Sequence, residues 1–361
     1  MIELWEALGR WDRDAIERIM ATPEGQAAAG VWNRDLHSTP LLSILGDLDY
    51  PEISDLAPLF VPHSTPGQTD RNGRTALMLA AQNANLSGPH SAGESLIPLL
   101  MELDSPDTDD NTGMTALMHA ALAGGEAAGR MVDMLLPVSD ARLVDNMGET
   151  ALMKAARSDS AESALALLPC SSANAVNKEG LTALMLAAHF HHPAAAAALV
   201  SSSHVDLSKC SNSGQTPLMI AAAALSPTHF QDIPREQNPA MLTAKALLPH
   251  FDPKATDPRG FNAFQHAIFA GNYVCADFLA DFATTEQLQI AWRDTRGLSL
   301  DAKDEIPRVF ALLETAHIRD AMNSGAAKTD SFPDAAEPPT ISLAAAPDAA
   351  GKTPRREPRK L

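Results

Sequence analysis

Three imidazoles stand within four consecutive residues, His189, Phe190, His191 and His192. Neutral imidazole nitrogens are common metal ligands, and a metal site needs several ligands that converge on one point. His189 and His192 would share a helix face only if one helix ran through the whole stretch. The metal interpretation therefore depends on whether a single helix continues from His189 to His192.

Other catalytic chemistry has less support in the residue pattern. Phosphate-binding loops need several glycines that lead into a helix, often followed by lysine, whereas the turn glycines of this chain stand singly. Nucleophilic catalysis is not indicated, because there is no Gly-x-Ser-x-Gly elbow and no paired Cys/His signature. The polar segment 226–239 holds three titratable candidates, His229, Asp232 and Glu236, so an enzyme with its chemistry in this insertion is kept as an alternative.

Composition narrows the choice of partner and compartment. The formal net charge of −18 disfavours nucleic acid and anionic membrane as main partners. Residues 1–20 form no apolar signal segment, and no apolar run is long enough to span a bilayer, so a cytoplasmic protein is expected. Cys170, Cys210 and Cys275 have no metal-ligand or disulfide-framework spacing and are predicted to be reduced, buried thiols. No cofactor is expected.

One repeated stretch of sequence predicts the helices and turns on which these residues lie. Thr-Ala-Leu-Met-x-Ala-Ala begins at Thr75, Thr115, Thr150 and Thr182, and a variant with proline begins at Thr216. A glycine stands two residues before each threonine. Successive threonines are 32 to 40 residues apart, a period typical of stacked repeats. Function is therefore expected on a surface rather than in a buried pocket.

Each copy of the stretch predicts the start of a helix. Threonine is a good N-cap, and proline or alanine suits the first helical turn. A second apolar run follows each first helix, at 96–103, 131–136, 164–168, 194–200 and 242–248. Each unit is therefore turn, helix, loop and helix. Degenerate units begin at Thr39, Asn262 and Ser299, and the N-terminal residues predict a cap of two helices with a break at Gly9.

The segment D-x-x-G-x-T-A-L-x-x-A-A at residues 70–81 resembles the ankyrin repeat, whose pattern is D-x-x-G-x-T-P-L-H-x-A-A. The resemblance implies an all-α, ankyrin-type helix-turn-helix solenoid over residues 1–322, with about eight units including degenerate caps. Methionine replaces the family's histidine, so apolar packing is expected where the family has polar bonding between turns. The composition of residues 323–361 predicts a disordered Pro/Ala-rich tail with a basic end.

The alignment with ankyrin repeats also accounts for the histidine run. The first helix of that unit ends at Ala188, His191 takes the position of the family's glycine, and His192 lies at the entry to the second helix. The three imidazoles then belong to different elements. No metal site is predicted.

The resemblance implies that variable residues of the turns and of the first-helix ends line a concave face that binds another protein. Large apolar side chains there would act as anchors and arginines would meet carboxylates. The predicted contact residues are Arg71, Arg74, Met114, Met147, Arg157, Leu181, His189, Phe190, Arg259, Phe261 and Phe269.

These observations favour a monomeric, non-enzymatic protein-binding scaffold. The alternative is a bacterial effector, or an immunity or inhibitory protein, that blocks a partner's active site through the same surface. An effector would be translocated into a host cell, and the basic C-terminal end would then be a secretion or targeting signal.

Overall fold

We describe the protein from a computed structural model. The structure describes residues 2–34, 37–46, 56–83, 92–224, 234–288 and 311. Regular secondary structure in these residues is helical, as the all-α prediction requires. The last repeat unit predicted around Ser299 and the tail over 323–361 lie outside the described residues, apart from Ala311. The described helices include none that is long and apolar enough to cross a membrane.

In the described residues, seven helix pairs follow three N-terminal helices. The N-terminal helices are α1 (Ile2–Arg10), α2 (Arg13–Met20) and α3 (Pro23–Ala29). The first helices of the pairs are α4 (Pro40–Gly46), α6 (Ala76–Gln82), α8 (Ala116–Ala123), α10 (Ala151–Arg157), α12 (Ala183–His189), α14 (Pro217–Ala223) and α16 (Ala263–Ala270). The second helices are α5 (Ala57–Phe60), α7 (Ala92–Leu103), α9 (Gly125–Leu135), α11 (Ala161–Leu167), α13 (Pro193–Val200), α15 (Pro239–Leu247) and α17 (Tyr273–Leu279).

The first helices begin where the repeated threonines predict. In α6 the Thr75 hydroxyl accepts a hydrogen bond from the Met78 amide at 3.3 Å, which satisfies one of the orphan amides of the first turn. The same bond recurs at Thr115, Thr150, Thr182 and Thr216. The degenerate starts at Thr39 and Asn262 are capped in the same way. The predicted helix starts that lie in the described residues are therefore confirmed, while the start predicted at Ser299 lies outside them.

The core lies in the layer of first helices. Each first helix contacts the next one along the chain, from α4 to α16, and the second helices contact one another from α7 to α17. Six consecutive residues, 183–188, are buried in α12, because this helix has neighbours on both sides and its own partner helix behind. The small alanines permit this close approach, and the repeated methionines are buried as apolar filling.

The N-terminal cap differs from the prediction. It has three helices instead of two, and α1 runs through Gly9 to Arg10 rather than breaking at the glycine. The chain turns at Trp11, whose φ is 54°, and the Asp12 carboxylate then caps α2 by accepting from the Ala15 amide at 3.0 Å. The first helix ends later than predicted because the N-cap of α2 is Asp12, three positions after Gly9.

Candidate functional site

A hairpin turn precedes each first helix from α6 onward. In the turn at 70–74, the Gly73 amide donates to the Asp70 carbonyl at 3.0 Å, and the Asp70 amide donates to the Arg74 carbonyl at 2.9 Å. Gly73 has a φ of 78°, a left-handed conformation that favours glycine. Equivalent turns lie at 110–114, 145–149, 177–181, 211–215 and 257–261. We call these six turns together the turn row.

The first residue of most turns holds its turn closed through its side chain. The Asp70 carboxylate accepts from the amides of Asn72 at 2.8 Å and Arg74 at 2.9 Å. Short polar side chains favour turns because they bond their own backbone in this way. Asp110, Asp145, Asn177 and Asp257 do the same, while Ser211 makes only the second bond.

Four neighbouring turns are bonded backbone to backbone. The Asn111 amide donates to the Asn72 carbonyl at 3.0 Å, the Asn146 amide to the Thr112 carbonyl at 2.9 Å, and the Lys178 amide to the Met147 carbonyl at 3.0 Å. All six residues lie at turn tips. No such bond joins the turns at 177–181, 211–215 and 257–261, all of which are described. The turn row is thus rigid from 70 to 181 and interrupted afterwards.

The second oxygen of each turn aspartate meets a cation or an imidazole. Asp70 pairs with Arg74 at 2.7 Å, Asp110 with His119 at 2.9 Å and Asp257 with His266 at 3.1 Å. Burial by itself raises the pKa of Asp110, but the hydrogen bonds from His119, Thr112 and backbone amides outweigh it and hold that pKa well below its usual range. The Asp110 carboxylate therefore remains ionised inside the protein.

The unit at the centre of the described chain carries a buried ionic cluster. The Lys154 ammonium lies 2.5 Å from the Asp145 carboxylate and 2.7 Å from that of Glu149. The Arg157 guanidinium approaches the other side of Glu149 at 3.2 Å and stacks on the Phe190 ring, 4.8 Å from its centroid. A cation above an aromatic face is attracted by the ring's quadrupole. The cluster thus ties the turn at 145–149 to the end of the next first helix.

The predicted contact residues fall into three groups. Arg71, Met147 and Arg259 are exposed. Six others are half-buried, namely Arg74, Arg157, His189, Phe190, Phe261 and Phe269. Met114 and Leu181 are buried, with exposed fractions of 8% and 3%, so the expectation that they face solvent is wrong. Both occupy the last position of their turn, where the backbone pairs with the turn's first residue and the side chain is directed at the helix ends.

The arginines also differ in what they already contact. Arg74 binds Asp70 and donates to the Gln82 amide oxygen at 2.7 Å, and Arg157 is engaged with Glu149 and Phe190. Arg71 and Arg259 are exposed at turn tips, and no ion pair holds their side chains among the described residues. Of the four arginines predicted to meet carboxylates, these two have free guanidinium groups.

Two exposed residues that lie beside the turn row were not among the predicted contact residues. Val144 and Val176 precede the turns at 145–149 and 177–181, and 54% and 53% of their surfaces are exposed. Cys210 holds the same repeat position in the following unit and is also exposed. The sequence did contain a signal for them, because a valine occupies the same repeat position in two successive units. The prediction of buried thiols is likewise wrong for Cys170 and Cys210, while Cys275 is buried.

The histidine run is divided between elements. His189 ends α12, His191 is a buried residue with a φ of 57°, and His192 is the N-cap of α13. The His191 Nε2 donates to the Ala224 carbonyl of the next unit at 3.3 Å, which directs its ring away from the helix axis. Burial lowers the pKa of His191 to about 4. The described residues include no group of three side chains placed to hold a metal ion.

Comparison with known proteins identifies the class. A family model described as "Ankyrin repeats (3 copies)" matches residues 52–128, 90–174 and 162–231. The chain therefore belongs to the ankyrin-repeat family, whose repeats are generally protein–protein interaction modules and typically non-enzymatic.

Solved structures that resemble the chain include the ankyrin repeat domain of Bcl-3, described as a unique member of the IkappaB protein family. It is 23% identical, with a TM-score of 0.46, and the alignment covers 60% of this chain and 92% of the Bcl-3 chain. No curated protein matches the chain in sequence.

Proposed function

We propose that the chain is a non-enzymatic scaffold that binds a partner protein across the turn row and the ends of the first helices. The observation that carries the proposal is the exposure of three apolar side chains in or beside two neighbouring turns, those of Val144, Met147 and Val176, which we call the apolar patch. Met147 is 43% exposed and lies in the turn at 145–149, while the two valines immediately precede the turns at 145–149 and 177–181. Exposed aliphatic groups gathered at one place are typical of an interaction site.

The surroundings of this patch resemble those of other protein interfaces. Phe190 is half-buried at the end of α12, and Phe261 and Phe269 pack edge to face with centroids 5.0 Å apart further along the row. The exposed Arg71 and Arg259 lie on the first and the last turn of the row. Binding energy at interfaces concentrates in a few anchors, often aromatic or arginine, surrounded by polar contacts.

The other large aliphatic residues that are exposed in the described chain lie on helices outside the turn row. They are Ile2, Leu59, Leu99, Val138 and Leu165. The backbone bonds between turns also hold the patch in one geometry, so that little conformational entropy is lost when a partner binds. The turn row is therefore the best-supported binding surface.

The test compares three valine-to-aspartate variants of the full chain. Val144→Asp and Val176→Asp should each weaken capture of the partner by more than about 2 kcal/mol, because they place a charge in the centre of the interface. Val138→Asp is the matched control, since Val138 is 50% exposed but follows α9 on another part of the unit. Capture from lysate and affinity of the identified partner are measured.

Circular dichroism and thermal melting should be nearly the same for all three variants, since each valine is exposed. Equal capture by the parent, Val144→Asp and Val176→Asp would contradict the proposal. A loss with Val138→Asp as large as the other two would place the partner elsewhere.

A further inference from the structure

Glu179 occupies an unusual place in the turn row. It lies at the tip of the turn at 177–181, in the same position that Met147 holds in the preceding turn, and it is half-buried. One oxygen of its carboxylate is fully buried and has no hydrogen-bond partner. Buried carboxylate oxygens are nearly always bonded, so this carboxylate lacks its usual partners, while the half-buried residue reaches the surface through its other atoms.

The charges around Glu179 do not balance. Three carboxylates, Asp145, Glu149 and Glu179, lie near two cations, Lys154 and Arg157. Both cations are bonded to Asp145 or Glu149, and no ion pair joins either of them to Glu179. Of the three carboxylates, Glu179 is therefore the one without an ion pair, and the adjacent Lys178, which is exposed, forms none with it either.

The environment acts on Glu179 as expected for a carboxylate without a counter-ion. Burial raises its pKa, the Glu149 carboxylate raises it further, and Arg157 opposes the two effects. The adjacent imidazole does not supply the missing charge, because burial and Arg157 both lower the pKa of His189. None of the described residues therefore supplies a counter-ion to the Glu179 carboxylate.

Two apolar side chains, those of Met147 and Phe190, belong to the same part of the surface as this carboxylate. Met147 is exposed in the neighbouring turn, and its carbonyl accepts from the amide of the residue just before Glu179. The Phe190 ring lies beneath the Arg157 guanidinium, which also acts electrostatically on Glu179. A suitable ligand therefore combines an aliphatic stem with a terminal cation, as lysine and arginine side chains do.

We infer that this subsite receives a lysine or arginine side chain of the protein partner, with the Glu179 carboxylate as its counter-ion. The stem lies on Met147 and Phe190, and the cationic end completes the charge balance. Charge-assisted hydrogen bonds of this kind are among the strong ones at interfaces. The inference rests on the proposed function, because it names the chemistry of one contact on the same surface.

The test uses an array of short synthetic peptides probed with the full-length chain. The peptides selected are those that bind the parent chain but not the Val176→Asp variant, because these bind at the turn row. In each, lysine is replaced by norleucine or arginine by citrulline, which keeps the stem and removes the charge. The parent chain should lose about tenfold in affinity on replacement of one particular cation, the amount expected for a hydrogen bond between charged groups.

The decisive variant is Glu179→Gln. It should bind the cationic peptides about tenfold more weakly than the parent and should no longer distinguish them from their uncharged forms. Glu162→Gln, which changes an exposed carboxylate on α11, is the matched control and should discriminate as the parent does. Glu179→Gln should melt no lower than the parent, since it removes an unpartnered charge.

The outcomes separate the two proposals. If the selected peptides show no preference for a cation, or if Glu179→Gln discriminates as well as the parent, the subsite is wrong while the turn row remains the binding surface. If no bound peptide is sensitive to Val176→Asp, the proposed binding surface fails and the subsite fails with it.

Discussion

The units before and after residue 200 are joined to their neighbours in different ways. Between residues 110 and 200, the turns are bonded to each other through the backbone, and a buried ionic cluster holds two units together. Between 211 and 279 the turns lack these bonds, and Pro258 has no amide with which to make one. We call these two parts the central units and the later units.

The first helices are also connected at their opposite ends, in both parts of the chain. In the central units the Ser158 hydroxyl donates to the Ala121 carbonyl at 2.8 Å. The Asn272 side chain donates to the Ala224 carbonyl at 2.9 Å, and His191 reaches the same carbonyl from the preceding unit. The stack of first helices nevertheless continues without interruption through both parts. Helix packing is therefore sufficient to propagate the solenoid, while bonding at the turns is a local feature that makes one part of the surface rigid.

Lys154→Ala should have the largest effect on the central units. It leaves the buried Asp145 and Glu149 carboxylates without their common cation, and removal of one partner from a buried ion pair typically costs about 3 to 5 kcal/mol. Chemical denaturation of the full chain measures this loss. Leu186 holds the same repeat position in the next unit, so the triple change Lys154→Leu, Asp145→Asn and Glu149→Gln should recover much of the stability. A loss below about 1 kcal/mol for Lys154→Ala would show that the cluster is not essential.

Leu184→Ala and Leu218→Ala should reduce stability by similar amounts. Both leucines are buried in first helices, one in the central units and one in the later units, and such truncations cost about 2 to 5 kcal/mol. Equal losses in denaturation would confirm that the same helix packing holds both parts. A much smaller loss for Leu218→Ala would show that the later units unfold separately.

Acidification should loosen the junction between the two parts. The folded-state pKa of His191 is about 4, below the ordinary value of 6.5, so the folded protein favours the neutral ring. Its contribution to stability is present above pH 6.5 and is lost as the pH falls toward 4, by about 3 kcal/mol in total.

Melting of the parent and of His191→Asn should therefore be compared across this pH range. Asparagine tolerates the left-handed conformation, and the variant should show a smaller loss of stability on acidification. His250→Asn changes an exposed histidine and serves as the control. Identical pH profiles for His191→Asn and the parent would rule out His191 as the sensitive group.

The smallest effect is expected for alanine in place of the turn glycines. Gly113 and Gly148 have similar φ values of 81° and 76°, so both changes should cost about 1 to 2 kcal/mol for the left-handed conformation. An alanine Cβ at Gly113 would also lie 2.7 Å from the Asn146 amide nitrogen, against 3.3 Å from that of Lys178 at Gly148. Thermal melting should show Gly113→Ala as the less stable. Equal melting temperatures would mean that the neighbouring turns can separate easily.

Much of the fold could be predicted from local residue patterns. Thr75 caps a helix because its hydroxyl meets an amide three residues away, and Gly73 is required because the turn needs a positive φ. These interactions involve residues close together in the chain, so the spacing alone predicts them. The cap at the N-terminus was predicted less well, because Asp12 rather than Gly9 decides where the second helix begins.

The candidate site could be predicted only in part. The turns and first-helix ends were identified as a surface, and Met147 is exposed there, yet Met114 and Leu181 are buried and the exposed Val144 and Val176 were missed. All lie in or beside turns of the same sequence type. Their repeat position alone does not reveal whether a side chain lies over the helix ends or in solvent.

The sequence by itself determined the repeated unit, its order and the starts of the first helices from α4 to α16, since capping, turn closure and helix periodicity depend on residues within one unit. Only the tertiary structure decided which side chains face solvent and which charges are paired. Lys154 reaches Asp145, nine positions earlier in the chain, because the turn folds back over the helix, and Phe190 meets Arg157 because the next unit stacks against the first. These contacts depend on the angle at which each turn lies on its helices and on the neighbouring unit, neither of which is encoded in a local pattern.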